Sequence, residues 1–332
     1  MRRLTVEVPG RPYPVLIGEG ADSLLPDFLT GRCLIVADTQ VERLPQVEGT
    51  VVRIAGGEEA KTFAVVERLL GEFGSARLGR DGTVVAVGGG TIGDVVGFAA
   101  SIWLRGIALV HVPTTLLAMV DSAIGGKTGI NTEAAKNAVG TFWQPRAVLV
   151  DTGHLDTLPA EHREGGMAEV VKYAMTMDPL IAELGLGEEL IERCVRCKAT
   201  VVAADERESG GREVLNYGHT VAHALEVVSG YRLHHGRAVA AGMRAAARIS
   251  ARLGLCEAGL VGHQDSLLAS HGLPGRLPHL DLENVLAALG TDKKIRGDRL
   301  RWVLLRSMGA AEPGHQVPAA VVRDVVAEIL SA

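Results

Sequence analysis

Five short runs rich in β-branched residues, Cys33 to Ala37, Thr50 to Ile54, Thr83 to Val87, Ile107 to Val112 and Ala147 to Val150, all fall in the first half of the chain. Their continuous apolar character is that of strands buried on both faces. Between them, Ala60 to Phe73 and Ile92 to Leu104 carry apolar residues at helical spacing, so the connections are long enough for right-handed crossovers. The pattern predicts an open α/β layer around a parallel sheet. Met1 to Gly10 alternates as Leu4, Val6 and Val8 and predicts a strand rather than a secretory leader, which gives the expectation of a cytoplasmic protein.

After about Asp156 the character changes. Met167 to Met177, Leu190 to Ala204, Thr220 to Val228, Ala238 to Leu253, Leu282 to Leu289 and Ala319 to Leu330 have helical spacing, with Arg301 to Leu305 as one short isolated strand. The expected organisation is an α/β nucleotide-binding domain over residues 1–155 and a helical metal- and substrate-binding domain over residues 156–332. His111, Pro113 and paired threonines break the longest apolar stretch, so no membrane span is expected. With 34 Lys and Arg against 39 Asp and Glu and only 4% aromatic residues, the chain offers no cationic stacking surface for nucleic acid. Any anion it binds must be small and locally caged. Its four cysteines are too scattered for a disulfide framework, and Cys194-x-x-Cys197 has no second pair with which to hold a metal.

Three constellations carry chemistry. Thr83 to Val87 runs into Gly88-Gly89-Gly90-Thr91-Ile92-Gly93-Asp94, where glycines let a backbone approach a pyrophosphate and a helix N-terminus offers free amides. A tight strand-to-helix turn without a ligand is the alternative. The acidic residue usual about 20 positions downstream is missing, and Asp38, after the first of the apolar strands, is the candidate for the ribose hydroxyls. Asp121 to Gly129 resembles a phosphate loop but lacks its first glycine; it leaves Lys127 on glycine hinges, followed by Lys136 and Asn137, suited to a smaller anion. His219 and His223 stand at i and i+4, His235 follows, and Glu169 sits in an otherwise apolar helix where a carboxylate needs a cation. One Glu and two His make a zinc site with an open position. Lys172, Lys198, Arg212, Lys293 and Lys294 are either solvated charges or the walls of an anion cage.

Taken together, Gly57 to Lys61, Gly88 to Asp94, Pro113 to Leu117, Asp121 to Gly129, Lys136-Asn137, Met167 to Lys172, Asp205 to Arg212, Asn216 to Glu226, His235-Gly236 and Asp292 to Lys294 resemble the 3-dehydroquinate synthase family of sugar-phosphate cyclases, in the same order along nearly the whole chain. The resemblance implies zinc or cobalt on Glu169, His219 and His235. It implies NAD held by Asp38, Glu58, Lys61, Gly89, Gly90, Thr91, Ile92, Gly93, Asp94, Thr114, Thr115, Lys127, Lys136, Leu155 and Thr157. The substrate implied is a seven-carbon keto sugar acid phosphate, with Arg105, Asn137, Asn216 and Lys293 or Lys294 around the phosphate, Arg212 and Lys198 near the carboxylate, and Lys127 and Lys136 among the substrate-binding residues. Asp121, Lys127, Lys172 and His223 would line the reacting centre. The reaction implied is a closed redox loop of oxidation, phosphate elimination, re-reduction and aldol closure, in a homodimer.

The sequence departs from the family pattern at Ala135, Ala222 and Arg237; Arg237 stands where a glutamate commonly follows His-Gly, which bears on the surroundings of His235. Competing expectations are a glycerol- or iron-type alcohol dehydrogenase, for which the cation set is excessive, a sister cyclase acting on a neutral sugar phosphate, which has no use for Arg212, and a non-catalytic nucleotide-binding module, in which a three-ligand ion beside lysines would have no purpose.

Overall fold

The computed structural model describes residues 1–133, 135–208, 210–273, 275, 277, 279–291 and 300–331. Lys293, Lys294 and Asp292 therefore lie outside the described residues. In the first half, strands β1 (Arg2–Val6), β2 (Tyr13–Ile17), β3 (Cys33–Asp38), β4 (Thr50–Ile54), β5 (Thr83–Gly88) and β6 (Ala108–Pro113) alternate with helices α1 (Phe63–Ser75) and α2 (Gly90–Ile102). A small hairpin, β7 (Lys127–Ile130) with β8 (Val139–Phe142), precedes β9 (Ala147–Val150). Helices α3 (Ala160–Thr176), α4 (Glu188–Ala204), α5 (His219–Val228), α6 (His235–Arg252), α7 (Gly259–Ser270) and α8 (Leu282–Thr291) follow, then the hairpin β10 (Trp302–Ser307) and β11 (Ala310–His315) and helix α9 (Ala319–Ser331).

The main sheet runs β1-β2-β9-β6-β5-β3-β4, parallel throughout except where β1 pairs antiparallel with β2. The inner strands β5, β6 and β9 are buried on both faces, as their apolar character predicts, whereas the edge strands β1 and β4 expose part of their length, including Arg3, Thr5, Thr50 and Val51. Along β5, Val84 and Ala86 join a core built with Val66, Leu69 and Phe73 of α1 and Val95, Val96 and Ala99 of α2. Val85 and Val87 point the other way, to Leu25, Val110, Val112 and Leu149. Because β3 has β4 on one side and β5 on the other, the strand order reverses there, and in open α/β sheets ligands bind at the carboxyl ends of such strands.

Several boundaries differ from expectation for local reasons. Helix α1 begins at Phe63, because Glu58–Ala60 forms its own 3-10 turn and the Thr62 side chain accepts from the Val65 amide as a cap. Helix α2 stops at Ile102, since Leu104 and Arg105 take left-handed backbone (φ +49° and +69°) ahead of Gly106. The expected isolated strand at 301–305 is half of a hairpin, because β11 pairs with it.

By internal contacts the chain forms two compact units: Met1–Arg163 with Leu186–Arg207, and Glu164–Gly185 with the chain from Glu208 onward. Helix α4 thus belongs to the first unit, where it packs on β1 and its Glu192 pairs with Arg2. The second unit centres on α5 and α6. Among the described residues no helix is long and apolar enough to cross a membrane, and none of the four cysteines is joined in a disulfide.

Candidate active site

In the first unit, Asp38 ends β3 and the glycine turn ends β5, on neighbouring parallel strands whose residues Ala37 and Val87 are in register. The glycines are needed for packing as well as for any ligand: a Cβ on Gly88 would meet Ile92 at 2.6 Å, and one on Gly90 would meet Ser122 Oγ at 2.7 Å. Gly89 caps α2 in extended backbone and its carbonyl accepts the Gly93 amide at 3.1 Å, leaving the first-turn amides of Gly90, Thr91 and Ile92 directed out of the helix. Thr114 donates its amide to Gly88 O at 3.0 Å, and Thr115 Oγ1 accepts from the Ala118 amide at 3.2 Å, which fixes the floor of the turn. Beneath it a cavity of about 10 Å³, room for one water, is lined by Gly90, Gly93, His111 and Ser122. Burial pulls His111 down to about 4, so it is neutral there.

Beside the turn, three separated segments meet. Lys61 is 2% exposed and its Nζ donates to Asp94 Oδ2 at 2.6 Å and to Asn137 Oδ1. Glu58 accepts from Asn131 at 2.8 Å and pairs with Lys136 at 3.9 Å. Gly56 is required by Asp38, whose Oδ2 would lie 2.1 Å from a Cβ there. Lys127 starts β7 on a turn in which Gly125 and Gly126 both have positive φ. Lys198 of α4 reaches Asp121, 2.9 Å from Oδ1. Arg105 is exposed on its left-handed turn, Leu155 is buried with its carbonyl held by Arg163, and Thr157 is exposed.

The second unit brings Glu169, His219 and His235 together, with one ligand atom from each within 4.8 Å of the other two. Helices α3 and α6 approach closely because neither partner carries a side chain at the contact: a Cβ on Gly236 would lie 2.3 Å from Gly165 Cα. That contact sets His235, next to Gly236, against Glu169, one turn on from Gly165. Helix α5 is held to α6 in the same way, a Cβ on Gly242 falling 1.9 Å from Gly218 O, and so His219 enters from the start of α5. Glu169 Oε1 is 3.6 Å from His219 Nε2 and 3.8 Å from His235 Nε2. These separations are too long for direct hydrogen bonds. They are close to the roughly 3.3–3.6 Å between ligands that each lie about 2.0–2.2 Å from a shared tetrahedral ion. The donor set of two imidazoles and one carboxylate, with its buried acid, fits a zinc-like cation.

The electrostatics agree. Glu169 is 1% exposed and its second oxygen pairs with Lys172, also 1% exposed. For His235, burial opposes the charged ring, but the carboxylates of Glu169 and Glu226 outweigh it and push it up to about 10. Burial instead carries His219 well below its ordinary value. The His223 ring lies 5.7 Å from that of His219, on the same helix face. Arg212 and Asn216 share the 3-10 turn Gly211–Asn216; Arg212 is 1% exposed and Asn216 donates to Glu208 at 3.3 Å. The outer contacts were not foreseen: His219 Nδ1 meets Tyr217 O at 3.2 Å and His235 Nδ1 meets Glu226 Oε1 at 3.3 Å. The sequence signal for Glu226 is its place on the His219 and His223 face, two turns beyond His219.

Models of the 3-dehydroquinate synthase N-terminal and C-terminal families match residues 51–164 and 166–295. The chain belongs to the 3-dehydroquinate synthase family. A curated relative, the 3-dehydroquinate synthase of Opitutus terrae, is 43% identical over 98% of both chains. Among solved structures, 2-deoxy-scyllo-inosose synthase, complexed with carbaglucose-6-phosphate, NAD+ and Co2+, superposes with a TM-score of 0.90 at 27% identity, covering 98% of this chain and 100% of that one. The 2-epi-5-epi-valiolone synthase of Streptomyces hygroscopicus subsp. jinggangensis 5008, with NAD+ and Zn2+ bound, gives a TM-score of 0.89 at 27% identity, covering 96% and 97%. Membership in the family and these neighbours weigh against the dehydrogenase and non-catalytic expectations.

Proposed function

We propose that the protein converts 3-deoxy-D-arabino-heptulosonate 7-phosphate to 3-dehydroquinate and inorganic phosphate, a step of the shikimate route to aromatic amino acids, using catalytic NAD and a divalent zinc or cobalt ion. The observation that carries this reading is the convergence of Glu169, His219 and His235 on one point in a chain whose two family matches are both to this synthase. When bound, the dinucleotide would supply a reversible hydride acceptor and the ion a Lewis acid for the alcohol being oxidised, so that phosphate can leave by cleavage of its carbon–oxygen bond with no net redox change.

The remaining work falls to the chain's own residues. The turn from Gly89 to Gly93 faces the pyrophosphate with the amides of Gly90, Thr91 and Ile92, Asp38 the ribose hydroxyls, and Glu58, Lys61, Asp94, Thr114, Thr115, Leu155 and Thr157 surround the dinucleotide. Arg105, Lys136, Asn137 and Asn216, with Lys293 or Lys294, hold the substrate phosphate. Arg212, a buried guanidinium, and Lys198 take the carboxylate, a fork geometry suited to a planar anion. Asp121, Lys127, Lys172 and His223 line the reacting centre, where His223 is the group to move a proton through its imidazole nitrogen and Lys172 Nζ holds its proton against Glu169. The resemblance supports a cytoplasmic homodimer.

The test is incubation with the seven-carbon acid phosphate, catalytic NAD and Zn2+ or Co2+. Stoichiometric phosphate without accumulating reduced nicotinamide is expected, and accumulation of reduced nicotinamide would overturn the reading. A neutral hexose phosphate turned over in place of the acid would mark a sister cyclase. Arg212→Ala should lower kcat/KM on the order of 10²–10³-fold for the acid substrate.

A further inference from the structure

The two histidines of the candidate centre differ in what holds their outer nitrogens. His219 Nδ1 faces a main-chain carbonyl, that of Tyr217, whose own side chain is fixed by Gln264 at 2.6 Å. His235 Nδ1 faces a carboxylate, Glu226 Oε1 at 3.3 Å, from a side chain that is 7% exposed. Arg237, the family departure nearest to His235, turns instead toward Glu164 at 3.7 Å with about half of its side chain exposed.

We infer that Glu226 is a positioning residue for the metal centre: its carboxylate, set against His235 Nδ1, fixes the ring so that Nε2 is presented beside Glu169 Oε1. Two effects act together. Accepting the Nδ1 proton selects the tautomer with a free Nε2 lone pair and stops rotation of the ring, and the negative charge makes that lone pair a better donor. Glu226 stands on the helix that also carries His219, so α5 supplies one ligand directly and the support of the other. This rests on the metal reading above.

The test uses the full chain stripped of metal, with Zn2+ affinity measured by competition with a chromophoric chelator and the visible spectrum of the Co2+ form as a second readout. Glu226→Ala should weaken Zn2+ binding about 10- to 100-fold and change the Co2+ bands, while NAD affinity stays within about twofold of the parent. Glu226→Gln retains an acceptor oxygen without the charge and should lie between the parent and Ala. Parent-like Zn2+ affinity and Co2+ bands in Ala would overturn the inference; if Ala does not fold, the same result in Gln would do so. If the unsubstituted protein binds neither ion, both the inference and the metal reading fail, whereas parent-like variants of a metal-binding protein defeat the inference alone.

Discussion

Lys198 Nζ lies 2.9 Å from Asp121 Oδ1 and donates to the carbonyl oxygen of the same residue at 2.6 Å, tying the middle of α4 to the turn that follows β6. The side chain is 7% exposed, so removing its charge leaves Asp121 beside a hole rather than beside water. Lys198→Met should cost about 1–3 kcal/mol in urea unfolding. Adding Asp121→Asn should recover most of that stability without restoring phosphate release, a split that a purely structural pair would not show.

Lys61 is enclosed more tightly. Its loss would strand the Asp94 carboxylate, for which burial already outweighs the stabilising lysine and raises the pKa. Lys61→Met is expected to destabilise the fold by about 3–5 kcal/mol. It should also weaken NAD binding at least tenfold in a titration. The double variant with Asp94→Asn should regain stability but not NAD affinity.

The contact of Gly242 with Gly218 joins the two helices that carry His219 and His235. A methyl group there meets backbone, which cannot move aside as a flexible side chain would. Gly242→Ala should lower stability by about 3 kcal/mol or more and weaken Zn2+ binding, both read on the purified full chain. Gly259→Ala, where a Cβ has open space, should change neither.

Asp22 gives a pH prediction of definite sign. Burial and then the neighbouring Asp151 carboxylate push its carboxyl up from 3.8 to about 6, while for Asp151 burial is opposed by the Gly153 and Gly20 amides, Asp22 and Arg43, which together hold it low. Between those values the folded chain keeps a proton that the unfolded chain has released, so this group's contribution to stability falls as pH rises through that window. Asp22→Asn removes the titration but keeps a donor for Asp151. Its stability relative to the parent should grow in its favour from pH 4 to pH 6 and then level off. A difference independent of pH would refute this.

Much of the fold was legible because buried strands need apolar, β-branched runs, and β3, β5, β6 and β9 have them, while β4 at the sheet edge keeps only Val52 and Ile54 buried. Strand β2 was not, since Pro14 interrupts it at the edge where β1 pairs. Hairpin β7–β8 was also hidden, because Gly129 and Gly140 pack against each other's backbone and look like loop residues. The three proposed metal ligands could be picked out by residue type, as two histidines and a lone acid in an apolar helix. Glu226 shares the His219 and His223 face by its spacing, but its partner His235 could not be read from that spacing, because only the packing of α5 on α6 brings the carboxylate there. The ion pairs of Lys61 and Lys198 were invisible for the same reason.

The chain leaves the first unit at Glu164 and returns to it with α4 after the excursion through Glu164–Gly185. No single cut can therefore separate the halves. A fragment ending at Arg163 would bare β1 and leave Arg2 without Glu188, Glu189 and Glu192, so it should aggregate, whereas a fusion of residues 1–163 to 186–207 through a short spacer should stay dispersed.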